Sequence, residues 1–142
     1  MKYRLANLSD VAWLADWNHQ LIRDERHRNL MTVTELEMRM RGWLSGEYQA
    51  MVFEVEDRVA AYALYRQGRN SVHLRHFFVH QQHRGKGIGE AAIGILLNEV
   101  WPKNLRVIVE ALVHNLTAQE FWKAAGFKEY SIRLEIMPEN RR

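Results

Sequence analysis

The spacing of apolar residues divides the chain into alternating helical and strand-like segments. Lys2–Ala6 reads as a short first strand. Ser9 and Asp10 then cap a helix whose apolar positions, Val11, Leu14, Ala15, Leu21 and Ile22, recur near the helical period. The polar run Asp24-Glu25-Arg26-His27-Arg28-Asn29 interrupts that period and predicts a helix end or loop. Thr34 and Glu37 have capping-box spacing, which opens a second helix running through Leu44 and closing at Gly46. Tyr48–Glu56 and Val59–Arg66 read as strands joined in a hairpin at Asp57-Arg58. Gly68-Arg69-Asn70 then turns the chain into a third long strand, Ser71–His80.

Beyond a glycine-rich segment, the apolar stretch from Ala91 to Trp101 predicts a helix that stops before Pro102. Leu105–Val113 is nearly all β-branched or aliphatic, the pattern of a central strand buried on both faces. Thr117 with Glu120 predicts another capping box, opening a helix that ends at Gly126. Lys128–Met137 alternates Tyr130, Ile132, Leu134 and Ile136 with polar residues, the period of a last strand. Together these give a mixed α/β (α+β) sheet sandwiched by helices, as one domain over residues 1–142.

Composition excludes several function classes. With 142 residues, 47% of them hydrophobic, the chain can bury one ordinary core. No apolar stretch reaches membrane-spanning length, and Met1-Lys2-Tyr3-Arg4 lacks the apolar core of a signal peptide. A cytoplasmic protein with no membrane partner is the expectation. The absence of cysteine excludes disulfides, a thiolate metal site and an acyl-cysteine intermediate. The net charge of +3 is spread along the chain without a basic stripe, so no nucleic-acid partner is expected. His73, His76, His80 and His83 have no cysteine or nearby carboxylate to complete a ligand set, so no metal is expected either.

The chemistry concentrates in Arg84-Gly85-Lys86-Gly87-Ile88-Gly89, between a strand and a helix. Alternating glycines leave backbone N–H groups uncovered, and the helix start behind them carries partial positive charge; this is an anion site. It is not a Walker loop, because no Ser or Thr follows Lys86. The dinucleotide fingerprint also fails, because position 90 is Glu90.

Phe77-Phe78-Val79 followed by this loop resembles the acyl-CoA signature of the GNAT family of N-acetyltransferases, Arg/Gln-x-x-Gly-x-Gly/Ala. It fits in two registers, starting from Gln82 or from Arg84. Downstream, Asn115, Ala118, Gly126 and Phe127 are similar to the family's second pattern. The resemblance implies that fold, with a mostly antiparallel central sheet flanked by about four helices, and an acetyl-CoA-dependent transfer to a primary amine of a small molecule or peptide. It implies that Arg84, Gly85, Lys86, Gly87, Ile88 and Gly89 hold the coenzyme A pyrophosphate. Phe78 and Val79 would lie along the pantetheine arm, with Asn115 opposite; a helix cap is the alternative role for Asn115.

Glu110 is the first candidate for the general base. It is the one charge in the apolar run Val107–Val113, which predicts a partly desolvated carboxylate, and some members of the family place a base five residues before their Asn. His76, on the strand before the loop, is the second candidate. Trp122 stands where the family usually has the Tyr that protonates the leaving thiolate, so it is expected as a wall of the acyl pocket. The family's acceptor side falls on Asp24, Glu25, His27, Arg28 and Asn29. A non-catalytic acyl-CoA sensor, or a plain interaction domain, is the alternative function, and the amphipathic last strand suggests a homodimer.

Overall fold

The computed structural model describes residues Met1–Arg142. Five strands form one sheet in chain order: β1 (Lys2–Leu5), β2 (Tyr48–Val55), β3 (Arg58–Gln67), β4 (Ser71–Val79) and β5 (Arg106–Val109). β1 to β4 pair antiparallel, whereas β5 joins β4 in parallel. The connections explain the difference: two helices between β1 and β2 bring the chain back antiparallel, whereas the others are a tight turn or a single helical crossover. β2 and β3 are joined by a tight turn with Glu56 and Asp57 at φ 52° and 62°, one residue earlier than the sequence pattern suggests. β4 and β5 are separated by a helix, as a parallel crossover requires.

Helices α1 (Val11–Asp24) and α2 (Val33–Leu44) cover one face of the sheet, where Val11, Leu14, Met40, Tyr62, Leu64 and Phe78 form a core. Helices α3 (Ile88–Ile95, extended by a π turn over Leu96–Val100) and α4 (Leu116–Ala124) cover the other, around Phe53, Tyr65, Leu74, Ile93, Leu96 and Trp122. Burial on both faces accounts for the unbroken run Ala60–Tyr65, in which alternate side chains enter opposite cores.

The caps differ from those the spacing predicts. α2 is capped by Thr32, whose Oγ1 accepts from the Glu35 N–H at 3.2 Å while the Glu35 carboxylate accepts from the Thr32 N–H at 2.9 Å. Thr34 and Glu37 repeat the same spacing two residues on, inside the helix. α4 is capped by Asn115, which accepts from the Ala118 N–H at 3.1 Å, so the Thr117–Glu120 pair is not used. Asn7, rather than Ser9, caps the turn leading into α1. The Asp10 carboxylate is buried there, held by two bonds of 2.9 Å from Arg4 and one of 2.9 Å from the Trp13 indole.

Two strand expectations are corrected. Leu105–Val113 is not a central strand. β5 is four residues long and lies at the sheet edge, with Ile108 42% exposed, because nothing follows it on its outer side. Lys128–Met137 forms no strand and pairs with none, and Tyr130, Ile132 and Leu134 are 95%, 86% and 89% exposed.

Candidate active site

The site begins as an irregularity in β4. Its register against β3 slips between Leu74↔Tyr65 and His76↔Leu64, so Arg75 is an extra, bulged residue. Val72 and Leu74 face the α3–α4 core, whereas after the bulge Phe78 turns to the α1–α2 core. The parallel ladder with β5 ends at Leu74↔Val109. Beyond that point β4 continues to Val79, while the other chain leaves the sheet at Glu110. The two diverge into a cleft with Arg75 and Glu110 at its apex, and Arg75–Val79 supplies a backbone edge with no strand beside it.

At the open end of β4 the chain makes a short 3₁₀ turn, Gln81–His83, and enters the glycine loop. Gly85 and Gly87 have φ of 74° and 75°, a conformation that side chains with a Cβ rarely adopt. No atom lies within 4 Å of where their Cβ atoms would stand. The N–H groups of Gly85 through Glu90 donate to no backbone carbonyl, so they form an uncovered row at the start of α3. Arg84 and Lys86 are exposed beside it. Uncovered amides, two cations and open space suit a pyrophosphate such as that of coenzyme A.

This geometry separates the two registers of the loop. Gly89 is the second residue of α3, has no positive φ, and has ordinary contact distances at its Cβ position, 3.4 Å to Phe121 and 3.5 Å to Val79. It therefore occupies a position where Ala fits, which is the last position of Arg/Gln-x-x-Gly-x-Gly/Ala. Gly87, at φ 75°, does not. The pattern starts at Arg84. Its Nε donates to the Val79 carbonyl at 2.8 Å and its Nη2 to Asp24 at 2.6 Å, tying the end of α1 to the mouth of the cleft. Its guanidinium also lies 5.3 Å from the Phe78 ring centre.

Glu110 stands at the apex but is not desolvated: its carboxylate is 70% exposed and sits 3.6 Å from His73 Nε2. His76 is buried, with Nδ1 3.2 Å from the Tyr62 hydroxyl and its ring edge-on to Trp43. Burial, reinforced by Arg39, Arg75 and His27, pushes its pKa down to about 3. His76 is thus held neutral and shut from solvent, a poor choice of base. Trp122 is packed in the core against Phe77, Phe121 and Phe127. Asn115 spends its carbonyl on capping α4, and its Nδ2 donates to nothing in the chain.

The five residues expected on the acceptor side divide in their contacts. Asp24 is engaged by Arg84. Arg28 makes a bidentate pair with Glu135 at 2.8 Å, and Asn29 accepts from the Met31 N–H to shape the loop. Glu25 and His27 remain without a charged side-chain partner. Burial and then the Asp24 charge raise the Glu25 pKa, and burial lowers that of His27.

A polar cluster beside them has no signature in the sequence. Asn18 of α1 is 1% exposed; its Oδ1 accepts from Arg39 Nη2 at 3.3 Å, while its Nδ2 and the Arg39 Nε donate to nothing. The Arg39 and Arg75 guanidinium carbons lie 4.4 and 4.7 Å from the Trp43 ring centre. Neither arginine has a carboxylate partner, and burial followed by the Arg75 charge acts against the charge on Arg39. Two cations without a carboxylate, Arg75 exposed and 3.5 Å from the Tyr48 hydroxyl, and two orphaned buried donors form a polar cluster that suits an anion. Residues 18, 39, 43 and 75 come from three elements, so no local motif could announce them.

The chain matches the family model described as acetyltransferase (GNAT) domain over residues 14–135. No curated protein sequence matches it. Among solved structures it is similar to a predicted acetyltransferase with acetyl-CoA from Clostridium acetobutylicum, with a TM-score of 0.77 and 18% identity over 99% of this chain and 97% of that one. It is similar to a possible acetyltransferase from Clostridium difficile 630, with a TM-score of 0.77 and 18% identity over 96% and 95%. The aminoglycoside N-acetyltransferase AAC(6')-Iy, in complex with CoA, superposes with a TM-score of 0.74 at 14% identity over 96% and 93%. At these identities the structural likeness establishes the fold.

Proposed function

The chain belongs to the GNAT acetyltransferase family, and from that premise we propose that it transfers an acetyl group from acetyl-CoA directly to a primary amine that also carries an anionic group. The carrying observation is the divergence of β4 and β5 after Leu74↔Val109, with the uncovered amides of Gly85–Glu90 at its open end and Glu110 at its apex. Acetyl-CoA is a co-substrate and supplies the thioester. The free edge of β4 offers N–H and C=O groups to amides of the pantetheine arm, and the loop takes the pyrophosphate.

An alkylammonium is almost fully charged at neutral pH and must lose a proton before it attacks. Glu110, exposed at the apex, accepts that proton directly or through water. The amine nitrogen then bonds to the acetyl carbon as the carbon–sulfur bond breaks; the nitrogen gives up its second proton to solvent, the thiolate takes one up from solvent, and the proton on Glu110 returns to solvent, so the net release is one proton. Trp122 lies in the core, and its indole N–H does not give up its proton at physiological pH. A thiolate with a pKa near 8.5 leaves without strong acid assistance.

The anionic group is inferred from Asn18 Nδ2 and Arg39 Nε, which donate to nothing in the chain, and from Arg75, which has no carboxylate partner. Glu25, next to the last residue of α1 and without a charged side-chain partner, supplies the opposite pole. An acceptor with an amine and a carboxylate matches both. Steady-state turnover over amino acids, their amides and polyamines tests this. Carboxylate-bearing amines should be preferred, and Arg39→Gln should raise their KM roughly 10- to 100-fold while leaving acetyl-CoA affinity unchanged. Equal use of acids and amides would remove the anionic requirement. The placement of Trp122 favours one second reading, an acyl-CoA sensor; acetyl-CoA binding without turnover of any amine would establish it.

A further inference from the structure

We propose that His73 is a positioning residue for the acetyl transfer: its imidazole aims the Glu110 carboxylate, holding the base in one rotamer on the acceptor face of the cleft. The inference rests on the reading of Glu110 as the base. Strand alternation puts the two side chains together. Val72 and Leu74 of β4, and Val107 and Val109 of β5, all pack toward the α3–α4 core. His73 and Glu110 are each one residue out of step with them, so both project to the opposite face. That is the face covered by α1 and α2, where Arg39 and Arg75 stack on Trp43. His73 Nε2 and Glu110 Oε1 meet there at 3.6 Å.

The backbone around Glu110 is fixed on both sides, but its side chain is not. Just before it stands the last rung of the ladder, Leu74↔Val109. Just after it, Gln119 Nε2 donates to the Leu112 and Val113 carbonyls at 2.9 and 3.0 Å, and the Asn115 N–H donates to Leu112 at 2.9 Å. The carboxylate itself is 70% exposed, and His73 is the one basic side chain paired with it. Arg75 is taken up with Trp43 and the Tyr48 hydroxyl, and Arg66 with Glu47 at 3.7 Å.

His73 is suited to act as the fixed end of this contact. It sits inside two ladders, opposite Arg66 of β3 and Ile108 of β5, and its side chain is only 26% exposed. A carboxylate beside the ring selects the tautomer with the proton on Nε2, which then donates. At 3.6 Å the contact is slightly longer than a hydrogen bond, a common length for catalytic contacts before substrate closes them. An exposed pair of this kind adds little to stability, so its value lies in aim. A glutamate free to sample χ1 and χ2 visits about nine rotamers, and holding one of them raises its reactive fraction up to about tenfold.

Steady-state kinetics with acetyl-CoA and the amino acid that the native chain acetylates fastest test this. His73→Leu should lower kcat about five- to tenfold, with KM for acetyl-CoA unchanged and Tm within about 2 °C of the parent. His73→Gln, whose Nε2 reaches the same point, should recover most of the rate. In a Glu110→Gln background His73→Leu should cost nothing further, because no carboxylate is left to aim. If His73→Leu does not fold, His73→Ala carries the same comparison. Parental kcat in His73→Leu overturns the proposal, and so does His73→Gln as slow as His73→Leu. An equal loss in both backgrounds overturns it too, because it marks a structural role. Undiminished kcat in Glu110→Gln removes the base and this proposal with it, whereas a loss in Glu110→Gln but not in His73→Leu removes His73 alone.

Discussion

Replacing Gly87 by Ala and, separately, Gly89 by Ala perturbs one loop at two positions with opposite expected signs. Gly87 has φ of 75°. Holding an L-residue in that region costs about 1–2 kcal/mol, and stiffening of the unfolded chain returns about 0.4–1 kcal/mol. Gly87→Ala should therefore destabilise the protein by about 1 kcal/mol. Gly89 lies in the first turn of α3, where an added Cβ would sit 3.4 Å from Phe121 and 3.5 Å from Val79, ordinary contact distances. Helix propensity favours Ala over Gly by about 1 kcal/mol, so Gly89→Ala should be neutral or slightly stabilising. In a chain of this length, 1 kcal/mol moves Tm by about 4 °C. Thermal melts should show Gly87→Ala below the parent by roughly that amount and Gly89→Ala at or above it. Acetyl-CoA titration calorimetry should follow the same division. The Gly87 methyl enters the open space beside the uncovered amides and should weaken binding about tenfold or more, whereas Gly89→Ala should have little effect. If Gly89→Ala destabilises as much as Gly87→Ala, or Gly87→Ala binds like the parent, the loop does not work as described.

Three further outcomes are expected. Glu110→Gln should lower kcat by about 100-fold or more while calorimetry shows unchanged acetyl-CoA affinity, and an undiminished kcat would remove Glu110 as base. His76, with its folded pKa depressed to about 3, favours the native state fully above its unfolded value and progressively less as pH falls below it. Stability should drop by about 2 kcal/mol from pH 7 to pH 5 on its account, and denaturant titrations of His76→Asn should show that slope reduced. Asp10, depressed to about 2 by Arg4, contributes above its unfolded pKa of 3.8 and loses its contribution as pH falls through 2. Asp10→Asn should cost about 2 kcal/mol at neutral pH, and a loss below about 0.5 kcal/mol would show that the Arg4 pairing is screened.

Much of the proposed cofactor side is legible in the sequence alone. A left-handed φ at Gly85 and Gly87 is a demand made by the backbone on the residue at that position, so it leaves a trace in local sequence. Helix and strand positions were likewise visible as periods, because period follows from backbone geometry alone. Capping boxes were less secure, since Thr32/Glu35 and Thr34/Glu37 share one spacing and only packing of α2 on the sheet chooses between them. The desolvation expected of Glu110 failed for a related reason. Its apolar neighbours Val107 and Val109 describe the strand before it, and the chain turns away from the sheet at that residue.

The sequence by itself determined the alternation of elements, the glycine cradle and the amphipathic period of the last segment, since each depends on residues within a few positions of one another. Tertiary structure alone decided which edge each strand occupies, that His76 is sealed beside Tyr62, and that Asn18, Arg39 and Arg75 meet around Trp43. These depend on contacts between elements distant in the chain, where burial and charge are set by neighbours no local pattern encodes. The same divide separates the donor from the acceptor. The proposed pyrophosphate cradle is built from consecutive amides and leaves its trace along the chain, whereas the proposed anion site of the acceptor exists only where α1, α2 and the β4 bulge converge.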